Sequence, residues 1–323
     1  MPLEIDKLSK RYGNSWALRD VSFTVDDGSI IGIFGASGSG KTTLLNTIAG
    51  AIKPTSGSIA AKGRDITQLK RKERGVSLHL GIGENGIKDI FSNLFSKNAV
   101  GENQLSRFEK TSADAGTIWL LDAPFSEMDP TQRDRCFSEI RATAKKSGRI
   151  VLFASSDFHQ MIDLADTVAV LDRGEIMQIG TPQEIYESPE TVKLARSTGE
   201  NNLISARRLS KANELVPEFY TIDGGHRIFA QPIEKARLGA INQDVTLAIR
   251  PEQISMSMGA SFPEDNLLKG VVTGIKFRGS TTLIEFDAGG LTLNTRVFKV
   301  VGLEIGTECM LGLPPHRIIV LRD

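Results

Sequence analysis

Two textures of hydrophobic and polar positions divide this chain. Residues 3–8 and 20–25 alternate apolar with polar, the pattern of half-buried strands. Ile30-Ile31-Gly32-Ile33-Phe34 is a continuous apolar run, which reads as a strand buried on both faces. Thr117–Asp122, Arg149–Ala154 and Thr167–Leu171 repeat that pattern, with helical spacing at 130–146 and 157–165 between them. Buried strands alternating with helices predict an α/β domain around a parallel sheet. Residues 51–68 read as a turn and a short hairpin, 70–74 as a solvated basic run, and 87–95 as a helix with one apolar face. After residue 198 the helical period fades and short alternating strands with Gly and Pro turns predict a small all-β barrel. The expected domains are therefore 1–198 and 199–323. Within the second, Leu247–Ile254 aligns with Leu311–Ile318 as two strand–proline-turn–strand units, which suggests two related halves.

Between the first buried strand and the helix-like Thr43–Ala49 lies Gly35-Ala36-Ser37-Gly38-Ser39-Gly40-Lys41-Thr42. Strand, glycine-rich loop and helix form the context in which this spacing binds phosphate. The glycines let successive N–H groups point inward, and the helix start adds positive potential. Lys41 is placed to reach the β- and γ-phosphates, and the Thr42 hydroxyl to ligate Mg²⁺.

Composition narrows the partners. The 323 residues carry 39 basic and 39 acidic side chains, which gives no reason to expect nucleic acid. Two distant cysteines, Cys136 and Cys309, read as reduced structural thiols of a cytosolic protein. Met1–Asp6 has no signal-peptide character, and no apolar run approaches the ~20 residues of a membrane span.

In order and kind, these pieces resemble the ATP-binding subunits of ATP-binding cassette importers, in the sugar- and polyamine-type branch that adds a C-terminal TOBE, OB-like β-domain. The resemblance rests on Lys10-Arg11-Tyr12-Gly13, on Leu18–Phe23, on Gly35–Thr42 and on Ile118–Asp122. Pro124–Asp129, Gly180–Tyr186 and Ile249-Arg250-Pro251-Glu252 extend it. It implies that Tyr12 stacks on adenine, that Asp122 holds Mg²⁺ through water, and that Asp129 sits at a subunit contact. The nucleotide set is then Tyr12, Gly35, Ala36, Ser37, Gly38, Ser39, Gly40, Lys41, Thr42 and Thr43, with Thr42 and Asp122 for the metal. The resemblance further implies ATP and Mg as cofactors, a homodimer or heterodimer, permease partners, and a place at the inner face of the cell membrane.

The departures from the family pattern concern catalysis. Ala123 follows Asp122 where the resemblance implies a general-base Glu, and a methyl group accepts no proton. Ser156 stands at the switch-His position; His159, three residues on, reads as a surface residue. Leu78–Gly81 lacks the expected Gln, and Leu105-Ser106-Arg107-Phe108-Glu109 replaces both signature glycines. The interval from Lys41 to Asp122 is short for the family, which reduces its helical subdomain to 81–110. The expectation is Mg-ATP binding with weak or absent hydrolysis and no intact catalytic residue. The alternatives are a soluble ATP-dependent scaffold or sensor that no longer engages a permease, and a P-loop kinase or GTPase. The all-β domain reads as a structural and dimerising module.

Overall fold

A computed structural model describes residues 2–80, 118–123, 125, 128–209, 217–231, 240–259, 264–298 and 302–321. The chain divides into two compact units, Met1–Ile185 and Tyr186–Asp323.

In the first unit, β1 (Leu3–Tyr12) and β2 (Ser15–Val25) form an antiparallel hairpin. β4 (Ser56–Ala61) and β5 (Arg64–Asp65) extend that sheet. A second sheet runs in the order β10-β9-β3-β8-β7-β6. Its parallel strands are β3 (Ile30–Phe34), β6 (Val76–Leu80), β7 (Ile118–Asp122), β8 (Ile150–Ser155) and β9 (Thr167–Asp172), and β10 (Glu175–Gly180) joins antiparallel at one edge. All five residues of β3 are buried, as a central strand covered on both faces requires. Among the described residues, three helices accompany this sheet: α1 (Lys41–Ile48), α2 (Pro130–Ser147) and α3 (Phe158–Leu164). α1 sets Leu44, Leu45 and Ile48 into a core shared with Leu18, Val21, Ile31, Ile33 and Leu120. Asp129 caps α2, its Oδ1 accepting the Gln132 N–H at 2.9 Å, with Pro130 at the first helical position.

The basic run at 70–74 departs from its expected solvated state. Arg71, Lys72 and Glu73 are exposed, but Arg74 is 5% exposed. It donates to the carbonyls of Thr47 and Ile48, both at 2.9 Å, at the end of α1. It also donates to those of Leu69 and Thr67. Five donors in a planar fork can satisfy a converging set of carbonyls, so this charge stays buried.

The chain divides within α4 (Pro182–Glu187), and the second unit continues with α5 (Val192–Thr198), whose Ala195 packs with Ala248, Ile319 and Leu321. Among the described residues the strands form two five-stranded sheets. One runs β13 (Arg227–Phe229), β12 (Glu218–Thr221), β11 (Asn202–Arg208), β14 (Asp244–Ile249), β20 (Ile319–Leu321). The other runs β18 (Leu291–Val297), β17 (Thr282–Ala288), β16 (Asn266–Phe277), β19 (Glu308–Leu313), β15 (Ser255–Ser257). Corresponding strands begin 64 positions apart throughout, so the repeat seen at the proline turns covers the whole β-structure. The last strand of each half crosses over: β15 pairs with β19, and β20 with β14. One core, including Phe219, Leu247, Ile249, Phe286, Leu311 and Leu313, serves both sheets.

Asn202 and Asn266 are equivalent in this repeat, and both are buried. Asn266 donates to the carbonyls of Phe229 and Leu313 and accepts the Phe229 N–H. Asn202 does the same with Ile249 and Asn294. The helix expected at 87–95, the reduced helical subdomain at 81–110 and the segment Leu105–Glu109 lie outside the described residues, as do Pro124, Ser126 and Glu127.

Candidate nucleotide site

The phosphate loop leaves the C-terminal end of β3, the central parallel strand, and runs into α1. This is the edge of an open α/β sheet where ligands bind. Ala36, Ser37 and Gly38 face outward, while Gly35 and Ser39 are buried beneath them. Gly40 precedes the helix at φ 109°, a left-handed conformation, and a Cβ there would meet the carbonyl oxygen of Ala17 on β2. A Cβ on Gly35 would run into the Leu171 carbonyl and stand 2.6 Å from Ser39 Oγ. Gly35 and Gly40 are therefore what lets the loop pack this closely against β9 and β2.

Lys41 folds over this loop, its Nζ donating to the carbonyls of Gly35 at 2.7 Å and Ala36 at 2.8 Å. Partial burial lowers its pKa, and the charge of Asp122 works against that fall. Asp122 closes β7 in register with Ala154 of β8, half-buried. Thr42, exposed in the first turn of α1, and Thr43 follow the lysine. The Ser39 hydroxyl, 4% exposed, has no hydrogen-bond partner among the described residues. The Ser39 hydroxyl and the Lys41 ammonium beside a glycine-rich loop at a helix start are a donor set suited to a polyphosphate.

Tyr12 lies at the tip of the β1–β2 hairpin, 49% exposed, with Lys10 Nζ 5.1 Å from its ring centroid. Trp16 is 44% exposed on the opposite strand, and the Arg11 guanidinium sits 5.5 Å from its ring. Sequence reasoning passed over Trp16. It also passed over β10 and the β9–β10 turn, although the Asp-Arg-Gly in that turn is an ordinary turn signal.

Around the opposite wall, Ala123 directly follows Asp122, its N–H donating to the Ala154 carbonyl at 2.9 Å. It sits at φ 45°, a left-handed conformation for a residue with a Cβ, and is exposed. The strand pairing of Phe34 with Ser155 brings the end of β8 beside the loop, where the Gly35 N–H meets the Ser155 carbonyl at 3.4 Å. Ser155 Oγ accepts the Asp157 N–H, and Ser156 is exposed. His159 turns its ring to Asp157, 3.3 Å between Nδ1 and Oδ1, on the surface of α3.

Residues 18–142 match the ABC transporter family model, and 247–321 match the TOBE domain model. The matches place an ABC transporter domain in the first unit and a TOBE domain in the second. Among curated relatives, the spermidine/putrescine import ATP-binding protein PotA of Clostridioides difficile is 26% identical over 360 aligned positions, covering 99% of this chain and 97% of that protein. The maltose/maltodextrin import ATP-binding protein MalK of Yersinia pestis is 26% identical, with 99% and 95% covered. The Fe(3+) ions import ATP-binding protein FbpC of Brucella melitensis is 29% identical over 78% of this chain and 79% of its own length. A nucleotide-free ATP-binding cassette from an ABC transporter superposes over 62% of this chain and all of its own, with TM-score 0.50 and 20% identity, so the fold is shared. No described helix of this chain is long and apolar enough to cross a membrane.

Proposed function

We propose that this protein is the ATP-binding subunit of a solute importer and that it binds Mg-ATP with little or no hydrolysis. The curated relatives, matched nearly end to end, are import ATP-binding proteins and support the importer role. The observation that carries the second half is the contrast between the loop after β3 and the residue after β7. On one side stand a loop shaped by missing side chains and the Lys41 ammonium. On the other, the residue after Asp122 is Ala123, which offers no carboxylate to take a proton from water. A positioned base is worth roughly 10²–10⁴-fold in rate, and nothing at Ser156 replaces the imidazole expected there.

In this reading Tyr12 stacks on the base. The N–H groups of Ala36, Ser37, Gly38 and Gly40 and the Lys41 ammonium hold the phosphates, and Thr42 with Asp122 holds Mg²⁺. The metal, when bound, neutralises phosphate charge. The protein works as a dimer at the cytoplasmic face of a membrane, beside permease subunits. The alignment to PotA opens gaps in this chain, 360 positions against 323 residues. That shortening favours the second reading, a soluble ATP-dependent scaffold or sensor, to the extent that it removes docking surface.

The test is ATP affinity measured beside steady-state phosphate release, with Lys41→Ala as control. The expected result is saturable ATP binding that Lys41→Ala weakens, and turnover far below 1 s⁻¹. Turnover of about 1 s⁻¹, in the ordinary enzyme range, overturns the proposal. Co-purification with a membrane subunit separates importer from scaffold.

A further inference from the structure

The turn between β9 and β10 holds Gly174 at φ 85°. Its N–H donates to the carbonyl of Ser39, inside the phosphate loop, at 2.9 Å. Its own carbonyl accepts the Arg19 N–H of β2 at 2.8 Å. A Cβ at Gly174 would stand 2.7 Å from the carbonyl oxygen of Ala17 and 2.9 Å from its carbonyl carbon. Both are backbone atoms, which cannot swing aside as a side chain does. Ala17 is where the β1–β2 ladder slips, because Lys10 pairs with Leu18 and Arg11 with Trp16. The same Ala17 carbonyl faces Gly40. One glycine thus spans the gap between the loop and the strand that carries the aromatic hairpin tip.

We infer that Gly174 is a positioning residue: it sets the separation between the phosphate loop and the hairpin tip bearing Tyr12 and Trp16, so that one nucleotide reaches both. This inference rests on the reading of Tyr12 as the base-stacking residue. A side chain at Gly174 pushes Ala17, and with it the hairpin tip, away from Gly40. The phosphate site survives, and the base loses its aromatic partner.

The test compares ATP with tripolyphosphate, which carries the phosphates without the base, by titration calorimetry on the full chain. Gly174→Ala weakens ATP about tenfold, the scale of one base–aromatic stack. Tripolyphosphate affinity stays within about twofold. Gly174→Asn, which tolerates the left-handed backbone better, gives the same split if the Ala variant does not fold. Tyr12→Ala matches the loss, and Gly174→Asn/Tyr12→Ala is no weaker than either single variant, since both remove the same stack. Equal losses for ATP and tripolyphosphate, or additive losses in the double variant, overturn the positioning role. No effect of Tyr12→Ala on ATP removes the base-stacking reading and this inference with it. A wild-type chain that binds neither ligand overturns nucleotide binding itself.

Discussion

Arg74 caps the carbonyl of Thr47, at the far end of the helix that begins with Lys41. The cation lies where the helix dipole is negative, and the same guanidinium ties that end to Thr67 and Leu69. Gly50 leaves the room it occupies, since a Cβ there would stand 2.5 Å from Arg74 Nε. Arg74→Ala strips four backbone carbonyls of a charged donor and opens a cavity. The expected loss is about 3 kcal/mol of unfolding free energy, read by urea denaturation. Arg74→Lys keeps the charge without the fork and recovers only part of the loss.

Arg74 also shows where sequence reading stops. The buried strands, the glycine loop and the helix after it were legible because each is a local pattern. Nothing in Lys-Arg-Lys-Glu-Arg distinguishes the arginine that turns inward, because its partners lie 27 and 26 residues upstream on α1. Gly174 is hidden for the same reason: its requirement comes from Ala17, across the fold. The 64-residue repeat was visible only where proline marks the turns. Elsewhere the two halves share strand pairing and the Asn202/Asn266 contacts while their side chains have diverged.

Ala123 offers a gain-of-function test. Ala123→Glu places a carboxylate after Asp122 without altering the loop. If the missing base is what limits hydrolysis, phosphate release rises by at least tenfold, short of the full 10²–10⁴ because Ser156 still stands in the imidazole position. Lys41→Ala in the same background returns release to the starting level. An unchanged rate in a variant that binds ATP normally shows that the base is not the limiting defect.

The two asparagines of the β-unit make a paired prediction. Each ties a strand of its own half to a strand of the other with three hydrogen bonds, Asn266 at 2.7, 2.9 and 2.9 Å. Asn202 does so at 3.3, 2.8 and 2.6 Å. Truncating either to Ala orphans buried backbone groups and costs about 2 kcal/mol, with similar values for the two because the surroundings repeat. Denaturation midpoints of Asn202→Ala and Asn266→Ala check this; a neutral effect at one site alone refutes the functional equivalence of the halves.

Tyr186 makes the last prediction, on alkaline stability. The Arg250 guanidinium lies 3.8 Å from its ring centroid, and its hydroxyl donates to Glu252 at 2.5 Å. Burial, followed by the hydrogen bond to the Glu252 carboxylate, raises the phenol from 10 to about 12. The folded chain therefore holds a proton that the unfolded chain releases between those values. By linkage, the stabilisation is fully present below pH 10 and is lost as pH rises through about 12. Phenolate absorbance should show one of the three tyrosines titrating late, and Tyr186→Phe should abolish that late step. Denaturation across the same window should show the wild type losing stability more steeply than Tyr186→Phe. Parallel curves would mean that the proton on Tyr186 is not linked to folding.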